Sequence, residues 1–203
     1  MRPIKRFCLL LFLPGVLFAN EKDLEIWLAE LSSVEGKFVQ QVYDPEHRIL
    51  QHSSGHFSIQ RPGKFRWHYQ KPYEQLVVSN GRELFIYDKD LEQVTVKDLG
   101  EEKVALPALL LSHDGQLADS FEIQPLQDEG RIIRFLLLPR QAGSPFTRIE
   151  LGFADGKLRK MVLSDHLEQS TEIEFQDAIR NPNLPAEYFE FKIPDGVDVI
   201  EQF

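Results

Sequence analysis

The sequence predicts an α+β fold in which a single strongly curved antiparallel sheet forms an incomplete β-barrel of about ten to eleven strands with a helical lid. Three observations predict it. Apolar and polar residues alternate in many short segments, turn signals separate these segments, and only two stretches carry a helical pattern. Because no linker and no shift in composition interrupts residues 20–203, we expect one domain there.

The first residues have the pattern of a secretory signal peptide. Basic residues precede a short apolar core at 7–18, which ends before the small residue Ala19. This core is too short to span a membrane as a permanent helix. We therefore expect residues 1–19 to be cleaved and the mature chain to be exported.

The mature chain is acidic and has no cysteine. The sole cysteine, Cys8, and three of the 23 basic residues lie in the predicted signal peptide, which leaves 20 basic residues against 32 acidic ones and a formal charge of −12. An exported domain without disulfides depends on its core for stability, and about 184 residues suffice for one. The charge excludes nucleic acid and anionic lipid surfaces as general partners.

The mature chain begins with a helical pattern and continues with strands. Leu24, Trp27, Leu28 and Leu31 are spaced as on one face of an amphipathic helix within residues 20–33. From Val34 the apolar period changes to two. Strands are predicted at 34–43, 49–60, 64–70, 74–79, 83–88, 92–99, 121–126, 131–138, 146–153, 157–164 and 169–179, with a last one near 188–193.

A second helical stretch at 104–111 is apolar on nearly every side, and another helical turn is predicted to end near Ser120. A helix of this kind must be buried or must contact another apolar surface. Two interpretations stay open: a buried core helix, or a lid that packs on the sheet when empty and against lipid when loaded. The lid would use Leu106, Leu109 and Leu110.

Residues 57–69 predict a β-hairpin with a turn at Pro62–Gly63. A three-residue loop at 62–64 keeps the apolar side chains on one face, so we prefer it over a two-residue loop. This register pairs Phe57 with Tyr69, Ile59 with Trp67, and Arg61 with Phe65.

Arg61 would then lie at the edge of the apolar face. Its guanidinium either extends to water or donates to unpaired carbonyls at the C-terminal end of a short lid helix. The pattern offers little helix to cover so many strands, so a ligand cavity and a fully packed core stay equally open. The residues predicted to line the cavity are Phe38, Phe57, Ile59, Phe65, Trp67, Tyr69, Leu84 and Ile86.

The sequence gives no support for catalysis, a metal or a cofactor. The mature chain contains no cysteine nucleophile, no Gly-x-Ser-x-Gly, no His-Glu-x-x-His and no glycine-rich phosphate loop. On a strand, His52 and His56 would be separated by roughly 13 Å, too far for one ion. We expect no enzyme activity, no catalytic residue, no metal and no cofactor.

The run RPGKFRWHY, followed by KPYEQLVVSNGRELFIYDKDLEQVTV, resembles the LolA family of periplasmic outer-membrane lipoprotein carriers. GKFVQ near the start, the leucine-rich stretch and FEFKIPDGVDVI near the end extend the resemblance. It implies a concave apolar interior, closed by helices, that shelters the acyl chains of lipoproteins. Arg61 matches the arginine that ties the lid shut, and Phe65 and Trp67 match the aromatic residues beside it.

The resemblance also implies where the protein acts and with what. It would work in the periplasm of a Gram-negative bacterium, as a monomer, between the ATP-driven inner-membrane releasing complex LolCDE and the outer-membrane acceptor LolB. The alternative is a periplasmic module of the same fold that senses lipid or lipoprotein, for which a second attached domain would be expected. A lipid esterase is a more distant alternative.

Overall fold

Twelve strands form a single sheet among the residues that the computed structural model describes, which are 21–99, 107–112 and 117–202. The elements are α1 (Glu21–Ala29), β1 (Ser33–Tyr43), β2 (Ile49–Gln60), β3 (Lys64–Lys71), β4 (Gln75–Asn80), β5 (Glu83–Asp88), β6 (Gln93–Asp98), α2 (Pro107–Ser112), α3 (Leu117–Ser120), β7 (Phe121–Glu129), β8 (Ile132–Pro139), β9 (Phe146–Ala154), β10 (Lys157–Asp165), β11 (Ser170–Arg180), a 3-10 helix (Ala186–Phe189) and β12 (Asp198–Gln202). The predicted signal peptide lies outside these residues.

The strands follow the order β12-β6-β5-β4-β3-β2-β1-β11-β10-β9-β8-β7. Hairpins join most neighbours, and β1 pairs antiparallel with β11, so the first and last long strands meet in the middle of the sheet. The sheet is open and curled, which confirms the predicted fold class. It has one strand more than the expected ten to eleven, and β12 pairs in parallel with β6, which departs from a purely antiparallel sheet.

Local signals set most of the boundaries. The strands predicted between 34 and 179 agree with the structure to within one residue at each end, except β7, which continues to Glu129. The β9–β10 turn has positive φ at both Asp155 (52°) and Gly156 (69°), as a two-residue hairpin of the primed kind requires. Helix α1 ends at Ala29, earlier than predicted, because the Leu31 N–H closes a tight turn on the Leu28 carbonyl (3.0 Å).

The predicted register of the β2–β3 hairpin is wrong by two residues. Phe57 pairs with Trp67, and the last pair, Gln60 with Lys64, leaves a loop of Arg61, Pro62 and Gly63. Gly63 takes the left-handed conformation (φ 70°) at the third loop position, where such loops favour glycine. A shift of two residues keeps every side chain on its face, so the apolar pattern could not distinguish the registers. Arg61 therefore lies in the turn and does not pair with Phe65.

The predicted strand at 188–193 is also wrong. Residues Ala186–Phe189 form a 3-10 helix, and the chain joins the sheet only at Asp198–Gln202. The alternating aromatic residues there pack on the outer face of the sheet instead of pairing. Phe191 contacts Phe85 with ring centroids 5.4 Å apart.

The main core lies on the concave side of the sheet. Buried residues of β1–β5 and β7–β11 form one cluster, which also takes in helix residues Leu24, Leu28, Ala108, Leu111 and Leu117. The three helices therefore cover the concave face. A smaller cluster on the outer face contains Phe85, Val94 and Val96.

Candidate ligand-binding site

Aromatic residues of β1–β3 and β11 form the centre of the concave face. The Trp67 ring lies 4.5 Å from that of Phe38 and 5.5 Å from that of Phe57. Phe175 of β11 contacts Phe57 at 5.0 Å and Trp67 at 6.3 Å. Inward-facing positions on adjacent strands meet here because strand side chains alternate between faces.

The structure brings all eight residues predicted to line the cavity into this one cluster. Six of them are buried, and Tyr69 and Ile86 are half-buried. The buried six are Phe38, Phe57, Ile59, Phe65, Trp67 and Leu84. That they line a cavity for acyl chains remains a prediction.

Helix α2 packs over β2 and β3 with most of its surface covered. Leu109 and Leu110 are half-buried against the concave cluster, whereas Ala108 and Leu111 are buried. The predicted lid residue Leu106 lies outside the described residues. At the end of α2, the Ser112 carbonyl accepts a hydrogen bond from Gly63 N–H (2.8 Å), which joins this helix to the β2–β3 turn.

Arg61 joins the same turn to helix α1. Its guanidinium donates to the Leu28 carbonyl, and its backbone N–H donates to the Ser32 carbonyl (2.9 Å). The Leu28 carbonyl lies in the last turn of α1, where the partial negative charge of a helix favours a cation. Arg61 thus binds the C-terminal end of α1, whereas the predicted interpretation was the C-terminal end of the short lid helix. A role of Arg61 in locking α2 remains a prediction.

Sequence reasoning missed a second anchor of α1, which follows β11. Asn181 Oδ1 accepts from Ser32 N–H (2.9 Å), and its Nδ2 donates to the Glu30 carbonyl (3.0 Å). Arg180 donates to the Trp27 carbonyl (3.1 Å). Asn181 has φ 55°, a conformation that asparagine adopts more readily than most residues. Arg-Asn-Pro in the sequence signals a turn but does not name its partner.

A cavity of about 420 Å³ opens at the other end of these strands, away from the β2–β3 turn. Residues of β1–β5 supply most of its lining, among them Gln40, Ser53 and Tyr69. The Tyr69 hydroxyl donates to Gln40 Oε1 (3.3 Å), and burial raises the pKa of Tyr69 to about 12. The phenol therefore stays protonated at neutral pH.

The outer face carries solvated ion pairs. His68 pairs with His56 across the strands, and its Nε2 lies 3.3 Å from the Glu74 carboxylate. A hydrogen bond from Lys89 lowers the pKa of Glu74. Within residues 21–99, 107–112 and 117–202, no group of three or more histidine, cysteine or acidic side chains is placed to hold a metal ion. None of the helices in that part of the chain is long and apolar enough to cross a membrane.

A curled sheet whose buried apolar concave face is covered by short helices defines a class of single-sheet domain, and solved structures share it. An uncharacterized conserved protein from Thermus thermophilus matches with a TM-score of 0.59 at 13% identity, over 89% of this chain and 98% of that one. MucB matches with a TM-score of 0.50 at 16% identity, over 88% of this chain and 64% of MucB. These likenesses establish the fold alone.

Sequence comparison identifies the family within that class. The family model described as outer membrane lipoprotein carrier protein LolA matches residues 29–192. Proteins described as outer-membrane lipoprotein carrier protein are 37% identical in Nitrosospira multiformis, over 100% of both chains, and 40% identical in Azotobacter vinelandii, over 86% of this chain and 84% of that protein. The chain belongs to the LolA family, a family of lipoprotein carriers, as the residues at 61–96 indicated.

Proposed function

We propose that this protein carries lipoproteins across the periplasm: it binds the acyl chains of lipoproteins released from the inner membrane and transfers them to an outer-membrane acceptor. One observation carries the proposal. The apolar concave face is covered by short helices, two of which are hydrogen-bonded to a single hairpin turn, by Arg61 to Leu28 and by Gly63 to Ser112. Membership of the LolA family supports the same role.

The physical need for a carrier follows from the hydrophobic effect. Exposing an acyl chain of about sixteen carbons to water costs on the order of 12 kcal/mol, at about 0.8 kcal/mol per CH₂. Such a chain crosses an aqueous compartment only if an apolar surface covers it. The concave cluster around Phe57 and Trp67 is the surface of suitable chemistry in the described chain.

The helical cover would keep the affinity of the concave face for acyl chains moderate. Loading must displace the contacts of Leu109 and Leu110 with the sheet, so the net gain is the burial of the ligand minus the lost contacts of the cover. A carrier with this arrangement holds its cargo without trapping it. Loading against these contacts requires energy from a membrane partner, for which we propose a LolCDE-type ATP-driven complex, with a LolB-type acceptor at the end of transfer.

The experiment uses spheroplasts of the same bacterium, so that the membrane partners match the carrier. Purified protein is added, and newly made lipoprotein is sought in the soluble fraction, bound to it. Serum albumin is the control for nonspecific capture of acyl chains. Release only by the added protein, followed by transfer to outer-membrane vesicles, supports the carrier role. Lipopeptide binding without release or transfer would indicate a sensing module instead, and hydrolysis of a simple acyl ester would indicate an esterase.

A further inference from the structure

We propose that the cavity at the open end of the concave face binds the uncharged, ester-linked glyceryl group of an acylated lipoprotein and rejects anionic phospholipids. This inference rests on the proposed carrier function and specifies its ligand. The cavity volume, about 420 Å³, lies within the range of ligand sites in proteins. Its lining combines polar side chains, here Gln40, Gln51, Ser53 and Gln75, with the apolar rim residue Leu91.

The cavity is continuous with the apolar cluster. Tyr69 belongs to both, since it lines the cavity and its ring packs edge-on against Phe38 at 5.2 Å. Gln40 follows Phe38 by two residues on β1, and Tyr69 follows Trp67 by two residues on β3, so each pair shares a face. A ligand with its acyl chains against the aromatic cluster would thus have its polar end beside Gln40 and Tyr69.

The boundary between the two regions carries hydrogen-bond donors. Gln40 is 8% exposed, and its Oε1 accepts a hydrogen bond from Tyr69, which leaves its amide N–H₂ group to donate to other acceptors. Trp67 Nε1 is a second buried donor at this boundary, beside the Tyr69 hydroxyl. An ester carbonyl accepts hydrogen bonds and donates none, so it is a suitable acceptor for the Gln40 amide N–H₂ group.

The charges at the cavity set its selectivity. Asp88 and Asp90 line it together with one cation, Lys71, so carboxylates outnumber ammonium groups. The nearby Glu74 and Lys89 neutralise each other at 2.6 Å. A phosphate headgroup would meet net repulsion here, whereas a neutral glyceryl ester would not. Anionic phospholipids carry the same two ester-linked chains, so this difference in charge would distinguish the cargo from anionic membrane lipid.

The experiment measures the binding of three probes by displacement of a fluorescent fatty acid from the purified protein. The probes are an N-acetylated, C-amidated dipalmitoyl-glyceryl-cysteinyl peptide without charged residues, dipalmitoyl phosphatidylglycerol and palmitate. We expect the wild type to bind the lipopeptide at least about tenfold more tightly than the phospholipid, the size of a small electrostatic difference.

Two variants test the two parts of the inference. The double variant Asp88→Asn/Asp90→Asn should bind phosphatidylglycerol about fivefold more tightly and the lipopeptide as before. Gln40→Leu should bind the lipopeptide about fivefold less tightly, because a buried ester carbonyl loses its donor, with palmitate unchanged. The matched control is Glu122→Gln/Asp128→Asn, which removes two exposed carboxylates from β7, at the opposite edge of the sheet from β5 and β6.

The outcomes separate this inference from the proposed function. Equal affinity of the wild type for lipopeptide and phospholipid, unchanged in both variants, would overturn the inference and leave the carrier role intact. Failure of the wild type to bind any of the three probes would overturn the carrier role itself. Tighter phospholipid binding by the control double variant, equal to that of Asp88→Asn/Asp90→Asn, would show a general charge effect and also overturn the inference.

Discussion

Gly63 donates its backbone N–H to the carbonyl of Ser112 across 2.8 Å, and this bond joins the β2–β3 turn to the last residue of helix α2. Two residues earlier in the same turn, Arg61 donates to the Leu28 carbonyl of α1. One three-residue loop therefore holds both helices that cover the concave face at this end. Movement of this loop relative to either helix would uncover apolar surface.

Replacing Arg61 with leucine removes the guanidinium bond to α1. We expect Arg61→Leu to weaken the closed empty state, to load lipoprotein from spheroplasts as the wild type does, and to transfer it onward about tenfold more slowly, the scale of a lost hydrogen bond from a charged group. The rate of transfer from purified complexes to acceptor vesicles measures this. Arg82→Leu, which makes the same change at an exposed turn, is the control. Normal transfer by Arg61→Leu would refute the role of the guanidinium.

Removing apolar contacts between α2 and the sheet should favour the state in which the concave face is uncovered. We expect Leu110→Ser to increase the affinity for a fluorescent fatty acid about threefold to tenfold, because the ligand then displaces a weaker cover. Leu167→Ser, at a side chain 71% exposed, is the matched control and should leave the affinity unchanged. An affinity of Leu110→Ser equal to or below that of the wild type would argue that Leu110 belongs to a fixed core.

Asn181 should stabilise the N-terminal helix through its side chain and through its backbone conformation. We expect Asn181→Gly, which keeps the backbone freedom but loses the bonds to Ser32 and Glu30, to lower the free energy of unfolding by about 1 kcal/mol. Asn181→Ala should lower it by about a further 1 kcal/mol, since alanine disfavours positive φ. Urea denaturation measures both, and equal stabilities of the two variants would contradict the conformational part.

The burial of Tyr69 predicts a specific pH dependence of stability. Because its folded-state pKa is raised to about 12 from the ordinary 10.0, its contribution is complete below pH 10 and is lost as the pH rises from 10 towards 12, where the unfolded chain releases the proton first. The loss is about 2 kcal/mol over this window. Tyr69→Phe should remove this loss, so that between pH 10 and pH 12 the free energy of unfolding falls by about 2 kcal/mol less than in the wild type. Tyr73→Phe, at a side chain 70% exposed, should not.

The sequence predicted the elements and the faces far better than the exact pairings. Alternation and turn residues defined the strands, because a period of two and a glycine turn are local properties. The register of the hairpin could not be predicted, because the loops at 61–63 and 62–64 both keep Phe57, Trp67 and Tyr69 on one face. The aromatic residues at 188–193 suggested a strand because Phe189 and Phe191 alternate, although they pack against a sheet face.

The concave apolar cluster was predicted in its composition but not in its attachments. All eight apolar residues belong to the concave cluster or pack against it, as expected from their alternate positions along each strand. The sequence did not predict three features: the bond from Arg61 to α1, the bonds of Asn181, and the cavity beside Tyr69. Each of them brings together residues that are distant in sequence. Such contacts depend on how the sheet curls, which no local pattern specifies.

The central claim is that the cover of the concave face moves when cargo binds, and amide hydrogen exchange tests it most directly. The Gly63 amide is measured in the empty protein and in a complex saturated with lipopeptide, with the Asn181 amide, bonded to the Ser33 carbonyl at 2.8 Å, as the reference. We expect the Gly63 amide to lose protection on loading and the Asn181 amide to keep it. A Gly63 amide that stays equally protected in the loaded complex would contradict a removable cover.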